Sequence, residues 1–132
     1  HVLDYLNAHG GRYDVLCGTD EALLSALSLG VKGAVGSTYN FAAPLFLRIM
    51  AAHGSGEVEL ARSLQQVAVD LVQTLAPFGY MAAARRTMER LGVPLGPPRL
   101  PFAGLMAEDC ARLDAALEAI NFDGIVRAGG DL

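Results

Sequence analysis

The chain has 132 residues, of which 52% are hydrophobic, and carries ten basic residues against fourteen acidic ones for a formal net charge of −4. This balance argues against a nucleic-acid partner, which is bound through clustered positive charge. The basic cluster Arg85, Arg86 and Arg90 has helical spacing and is predicted to form a solvated face or salt bridges. The apolar stretch 42–52 falls short of the roughly 20 residues that a bilayer requires, so we expect no membrane partner.

The first forty residues alternate helices with short apolar strands. In chain order, the predicted elements are a helix ending at His9, a strand from Tyr13 to Cys17, a helix from Asp20 to Leu29, and a strand from Ala34 to Gly36. Thr19 or Asp20 is the predicted amino-terminal cap of the second helix, because both side chains accept hydrogen bonds from free helix amides. Short connections between alternating helices and strands predict that the strands pair in parallel.

After Asn40 the pattern is helical only. The predicted helices run to about His53 with Pro44 in the first turn, from Val58 to before Pro77, from about Tyr80 to Leu91, and along a face that carries Met106, Cys110, Leu113, Leu117 and Ile120. Proline suits a first helical turn because no amide is needed there. Four prolines in residues 94–101 leave no helical hydrogen-bond ladder, so this segment is predicted to be extended.

Polar residues follow both predicted strands. Residues 18–21 read Gly-Thr-Asp-Glu after the first strand, and residues 36–40 read Gly-Ser-Thr-Tyr-Asn after the second. Barrel and open-sheet α/β proteins place their chemistry at the carboxyl ends of strands. The structural alternatives are a helix cap at Asp20 and Glu21 and an ordinary turn at Ser37.

Two further functions are possible for this edge. A phosphate site after the last two strands of a barrel is one, although a single glycine at the turn and no nearby basic residue argue against it. A nucleophilic Ser37 is the other, but it lacks an adjoining histidine and the G-x-S-x-G elbow.

These motifs resemble the last two barrel strands of the pyruvate-dependent aldolases related to N-acetylneuraminate lyase and dihydrodipicolinate synthase. Residues 18–21, 36–40 and 92–101 are similar to the N-acetylneuraminate lyase branch, and the resemblance covers nearly the whole chain. It implies an α/β fold, namely the carboxyl-terminal part of a (β/α)8 TIM barrel with its last two strands. Residues 1–53 would hold the last βα units and residues 54–132 a helical extension.

The resemblance also implies a lyase reaction of carbohydrate metabolism, the reversible aldol cleavage of sialic acid to pyruvate and N-acetylmannosamine. That reaction proceeds through a lysine Schiff base without a further cofactor, in an enzyme expected to be a homotetramer. The residues that match substrate-binding positions of the lyases are Gly18, Asp20, Glu21, Gly36 and Ser37. Carboxylates there would accept hydrogen bonds from the hydroxyl groups of the sugar.

Lys32 is the only lysine of the chain, and it lies in the turn that enters the second strand. This turn is on the barrel face opposite the active site. We therefore expect the Schiff-base lysine to lie upstream of His1, in a longer protein of which this chain is the carboxyl-terminal part. The chain alone is predicted to contain no catalytic residue, to be inactive, and to associate through its exposed strands.

The remaining candidates are assigned structural roles. Tyr39 and Asn40 are predicted to position the second loop, and Phe102 to cover the core or surface or to form an apolar wall at the barrel mouth. No metal site is predicted, since the three histidines His1, His9 and His53 lack the spacing of metal ligands. Cys17 and Cys110 form no redox motif, which together with the lack of a signal peptide favours a cytoplasmic location.

Two other hypotheses for the function of the chain are alternatives to a sialic acid lyase. One is another aldolase of the same group, such as a dihydrodipicolinate synthase-like enzyme, because substrate choice depends on loops outside these residues. The other is a non-catalytic interaction module formed by the 132 residues alone.

Overall fold

The structure is a computed structural model and describes residues 1–127. The α-helices are α1 (Val2–Asn7), α2 (Leu23–Ser28), α3 (Tyr39–Gly54), α4 (Val58–Leu75), α5 (Tyr80–Arg90), α6 (Ala107–Ala119) and α7 (Phe122–Val126), and the strands are β1 (Leu16–Cys17) and β2 (Gly33–Ala34). Short 3-10 turns cover Ala8–Gly10, Asp20–Ala22 and Ala76–Phe78.

The two strands pair in parallel, as predicted. Leu16 lies opposite Gly33 and Cys17 opposite Ala34, and the Val35 amide extends the ladder by donating to the Cys17 carbonyl at 2.8 Å. Both strands are shorter than the predicted 13–17 and 34–36, because among residues 1–127 each has a single neighbour and only the paired positions form a ladder.

The predicted capping of the second helix is wrong. Residues 20–22 form a 3-10 turn before α2 begins at Leu23, and neither Thr19 nor Asp20 makes a side-chain cap bond. The Asp20 carboxylate instead accepts a hydrogen bond from the Thr38 amide of the neighbouring loop. A side chain of α4 satisfies the Leu24 amide in the first turn of α2, so the helix start is completed from another part of the chain.

Helices α2 to α7 enclose one apolar core. In α4 the buried positions are Ala61, Leu64, Ala68, Leu71 and Leu75, which is the helical spacing that the sequence predicted. In α3 the backbone departs from helical geometry at Ala42, with φ −126° and ψ 24°. Pro44 therefore lies in the first turn of the regular part of α3, where its missing amide breaks no helical bond.

The basic cluster of α5 forms salt bridges, one of its two predicted roles. Arg86 places Nη2 2.6 Å from Asp114 Oδ2 and Nη1 2.9 Å from Glu89 Oε2. Arg90 lies 3.4 Å from Glu118 and 3.7 Å from Asp123. These contacts tie α5 to α6 and α7.

Residues 91–106 contain neither helix nor strand, in agreement with their four prolines. Within residues 1–127 no single helix is long and apolar enough to cross a membrane. The stretches Val58–Phe78 and Tyr80–Arg90 meet the length and composition of a span only when joined, and they are bent by 111°.

Candidate functional site

The carboxyl ends of β1 and β2 open onto one depression of about 250 Å³. Its lining residues are Gly18, Thr19, Asp20, Glu21, Gly36, Ser37, Val72 and Tyr80. All five residues that the sequence indicated as substrate-binding are among them. Val72 of α4 and Tyr80 of α5 were not predicted, because nothing in the local sequence links these distant helices to the strand ends.

Asp20 joins the two strand-end loops. Its side chain is buried, with 8% of the residue exposed, and Oδ2 accepts a hydrogen bond from the Thr38 amide at 3.4 Å. The second oxygen, Oδ1, is buried and has no hydrogen-bond partner. Leaving a buried polar atom unpaired costs about 1 to 3 kcal/mol. The Tyr39 hydroxyl, which is likewise buried and unpaired, lies close to this carboxylate.

The Asp20 carboxylate occupies the space that a side chain at position 36 would need. A Cβ atom at position 36 would lie 2.8 Å from Asp20 Cγ and closer still to Oδ1. Contacts this short force a neighbour to move. The glycine at the end of the second strand is therefore required by the carboxylate of the first loop.

Tyr39 lies near the Asp20 carboxylate. Its hydroxyl is buried and unpaired, and it lies close enough to the Asp20 carboxylate to interact with it electrostatically. Burial, and after it the negative charge of Asp20, raises the pKa of the Tyr39 phenol, so the phenol stays protonated. The ring packs edge-on against Phe46 with centroids 4.3 Å apart.

Asn40, which was predicted with Tyr39 to position the second loop, and Thr38, which was not predicted, both make hydrogen bonds that hold this loop. The Asn40 side chain donates from Nδ2 to the Ser37 carbonyl at 2.9 Å. Thr38 is fully buried, and its hydroxyl is hydrogen-bonded to the hydroxyl of Tyr80. The loop is thus fixed both from within and from α5.

Glu21 and Ser37 face solvent at the depression. Both residues are exposed, and their side chains make no hydrogen bond to another residue within 1–127. Two carboxylates and a hydroxyl therefore surround one space. Such a set suits a neutral part of a ligand that is rich in hydroxyl groups, because carboxylates accept and a serine hydroxyl both accepts and donates.

Lys32 lies at the other end of the strands, as predicted. It is exposed, immediately precedes β2, and lines a separate depression of about 470 Å³ together with Tyr13 and Asp14. Because the strands are parallel, their amino ends and carboxyl ends are on opposite sides of the sheet. The amine of Lys32 therefore cannot reach the space between Asp20 and Ser37.

The other sequence candidates lie outside the depression. Phe102 is 56% exposed and does not line it, so no apolar wall is formed there. Cys17 and Cys110 are free thiols. Across residues 1–127 no three side chains of histidine, cysteine, aspartate or glutamate converge in a way that would hold a metal ion.

Known proteins similar to this chain include lyases and aldolases. The chain is 38% identical to the N-acetylneuraminate lyase of Gallus gallus over 107 residues, which are 80% of this chain and 35% of the relative. A solved N-acetylneuraminate lyase (sialic acid aldolase) of Aliivibrio salmonicida superimposes with a TM-score of 0.84 at 39% identity, over 89% of this chain and 39% of that one.

A 2-keto-3-deoxygluconate aldolase of Sulfolobus shares the fold, with a TM-score of 0.84 at 23% identity over 93% of this chain and 42% of that one. These neighbours are TIM-barrel aldolases, and the mostly helical chain with its two parallel strands matches part of their barrel. The chain spans about a third to two-fifths of the length of such relatives. The model of the dihydrodipicolinate synthetase family matches residues 2–120, so the chain belongs to that family.

Proposed function

We propose that the whole protein containing this chain is an N-acetylneuraminate lyase-like aldolase, which cleaves sialic acid reversibly to pyruvate and N-acetylmannosamine. The observation that carries the proposal is the convergence of Asp20, Glu21 and Ser37 on one depression at the strand ends. Support comes from the lyases that are 32–38% identical to this chain.

In this proposal the described residues bind the hydroxylated part of the sugar acid. The exposed Glu21 carboxylate and the Asp20 carboxylate beside it accept hydrogen bonds from sugar hydroxyls, and Ser37 contributes a weaker neutral bond. The covalent step belongs to a lysine elsewhere in the protein. Its amine condenses with the ketone with loss of water, and the resulting iminium accepts the electron pair of the breaking carbon–carbon bond.

A second candidate is another pyruvate aldolase of the same family, which the match to the dihydrodipicolinate synthetase family favours equally. The polar lining supports the first candidate. Two carboxylates and a hydroxyl around one space suit the neutral, hydroxylated part of a sugar acid, whereas an anionic group at the same point would be repelled by the carboxylates.

The test uses the whole protein in two assays: pyruvate release from N-acetylneuraminate, and trapping of a pyruvate adduct with borohydride. We expect Glu21→Gln to lower kcat/KM by about one to two decades, since a charge-assisted hydrogen bond is worth roughly 1.5 to 3 kcal/mol. Ser37→Ala should lower it by about tenfold or less, as expected for a neutral bond. Both variants should retain adduct formation.

The matched control is Glu108→Gln, which removes an exposed carboxylate from the first turn of α6, away from the depression. It should keep wild-type kinetics. Wild-type protein that traps pyruvate but leaves N-acetylneuraminate intact would reject the lyase in favour of another aldolase. Glu21 and Ser37 variants with unchanged kinetics would show that these residues do not bind the substrate.

A further inference from the structure

Gln65 of α4 connects the helical extension to the first strand-end loop. Its Oε1 accepts a hydrogen bond from the Leu24 amide at 2.8 Å, and its Nε2 donates to the Asp20 carbonyl at 3.1 Å. The two bonds fix the orientation of the amide group, because a reversed side chain would place donor against donor and acceptor against acceptor. Gln65 itself does not line the depression.

The two backbone groups that Gln65 holds lie on either side of Glu21. Asp20 begins the 3-10 turn, and Leu24 is in the first turn of α2. No side chain of the loop caps this helix start, so the Leu24 amide would lack a partner without Gln65. One side-chain amide therefore sets the path of the backbone from which both proposed sugar-binding carboxylates project.

We infer that Gln65 is a positioning residue for the sugar-binding loop, acting through the backbone of Asp20 and Leu24. This inference rests on the proposed function. It gives α4 a role in substrate affinity besides packing: the glutamine keeps the Asp20 and Glu21 carboxylates in place before the ligand arrives, which lowers the entropy cost of binding.

The decisive variant is Gln65→Glu in the whole protein, with Gln65→Met as a second variant of similar size. Glutamate still accepts from the Leu24 amide but cannot donate to the Asp20 carbonyl unless it is protonated. We expect KM for N-acetylneuraminate to rise by about 3- to 10-fold, as for the loss of a neutral hydrogen bond, with little change in kcat or in pyruvate trapping. Gln73→Glu makes the same charge change on an exposed position of α4 and should behave as wild type.

Hydrogen exchange followed by mass spectrometry separates this inference from the proposed function. We expect faster exchange in residues 20–24 of the Gln65 variants, with α4 protected as in wild type. This result supports the positioning role of Gln65 even if the wild-type protein proves to act on another substrate. Unchanged exchange and unchanged KM would overturn it. Joint loss of pyruvate trapping and sugar cleavage would also overturn it, because Gln65 would then support the whole fold and not the loop.

Discussion

The two ends of the short sheet differ in how their polar residues are held. The depression at the amino ends of the strands is the larger, about 470 Å³ against about 250 Å³, and contains the only lysine of the chain. Its polar side chains Tyr13, Asp14 and Lys32 are all exposed. At the carboxyl ends a buried carboxylate bridges two loops, and Gln65 of α4 and Tyr80 of α5 are hydrogen-bonded to these loops.

This difference in how the side chains are held, and not the volume of the depressions, is the reason that we propose the substrate site at the carboxyl ends. Burying Asp20 with one oxygen unpaired costs free energy, and a fold retains such an arrangement when function benefits from it. The amino-end depression bears no comparable cost, since its charged groups remain in water. Substitutions at the two ends should therefore have effects of very different size.

The largest effect is expected for Gly36→Ala in the whole protein. The added methyl group would overlap the Asp20 carboxylate, so either the carboxylate or the second loop must move. Overpacking of this kind costs about 1 to 3 kcal/mol of folding free energy, and we expect kcat/KM for the sugar acid to fall by more than tenfold. Thermal unfolding and steady-state kinetics measure the two effects.

Gly54→Ala is the matched control for that substitution. Nothing lies within 4 Å of a Cβ atom built at Gly54, at the end of α3. It should leave kinetics and unfolding temperature unchanged or slightly improved. A Gly36→Ala protein with wild-type kinetics would show that the position of the Asp20 carboxylate does not matter to the ligand.

A kinetic effect of similar size, without the loss of stability from overpacking, is expected for Asp20→Asn. Asparagine keeps one oxygen for the Thr38 amide but removes the charge of a carboxylate that lines the depression, so a sugar hydroxyl loses a charged acceptor. We expect kcat/KM to drop by about one to two decades, corresponding to roughly 1.5 to 3 kcal/mol. Borohydride trapping of pyruvate should persist. Loss of trapping in a folded variant would place Asp20 in the covalent site.

The parallel pairing of the strands and the placement of five lining residues at one edge of the sheet could be predicted from the sequence, because strand ends and loop glycines are recognised from local patterns. It did not predict the direction of the Asp20 side chain. Helix capping and a cross-loop bond satisfy the same carboxylate, and only the position of the Thr38 amide decides between them. Gln65 was also missed, since it is 45 residues from Asp20 in the chain and occurs within an ordinary amphipathic helix.

A smaller effect is expected for Tyr39→Phe, and it should depend on pH. The phenol makes no hydrogen bond, so its removal should change stability near neutral pH by less than about 1 kcal/mol. The folded state raises the pKa of Tyr39, whereas the unfolded phenol titrates near its ordinary value of about 10. The contribution of this group to stability is therefore complete below about pH 10 and is lost as pH rises further.

Chemical denaturation at pH 8 and at about pH 10.5 tests this sign. The wild-type protein should lose more stability between the two values than Tyr39→Phe does. Tyr5→Phe, which removes a phenol that is 66% exposed, is the matched control. An identical loss in wild type and Tyr39→Phe would mean that Tyr39 is ionised as easily in the folded protein as in the unfolded one.

No effect at all is expected for Lys32→Ala, and this outcome bears most directly on the contrast between the two ends. The amine lies beyond the amino end of β2, on the opposite side of the sheet from Ser37, so it cannot form an iminium with a substrate bound at the carboxyl ends of the strands. The whole protein carrying Lys32→Ala should keep wild-type kcat/KM. The 132-residue chain by itself should gain no pyruvate mass after borohydride treatment. A stoichiometric adduct on Lys32 of the isolated chain would move the chemistry to the larger depression and reverse the assignment of the two ends.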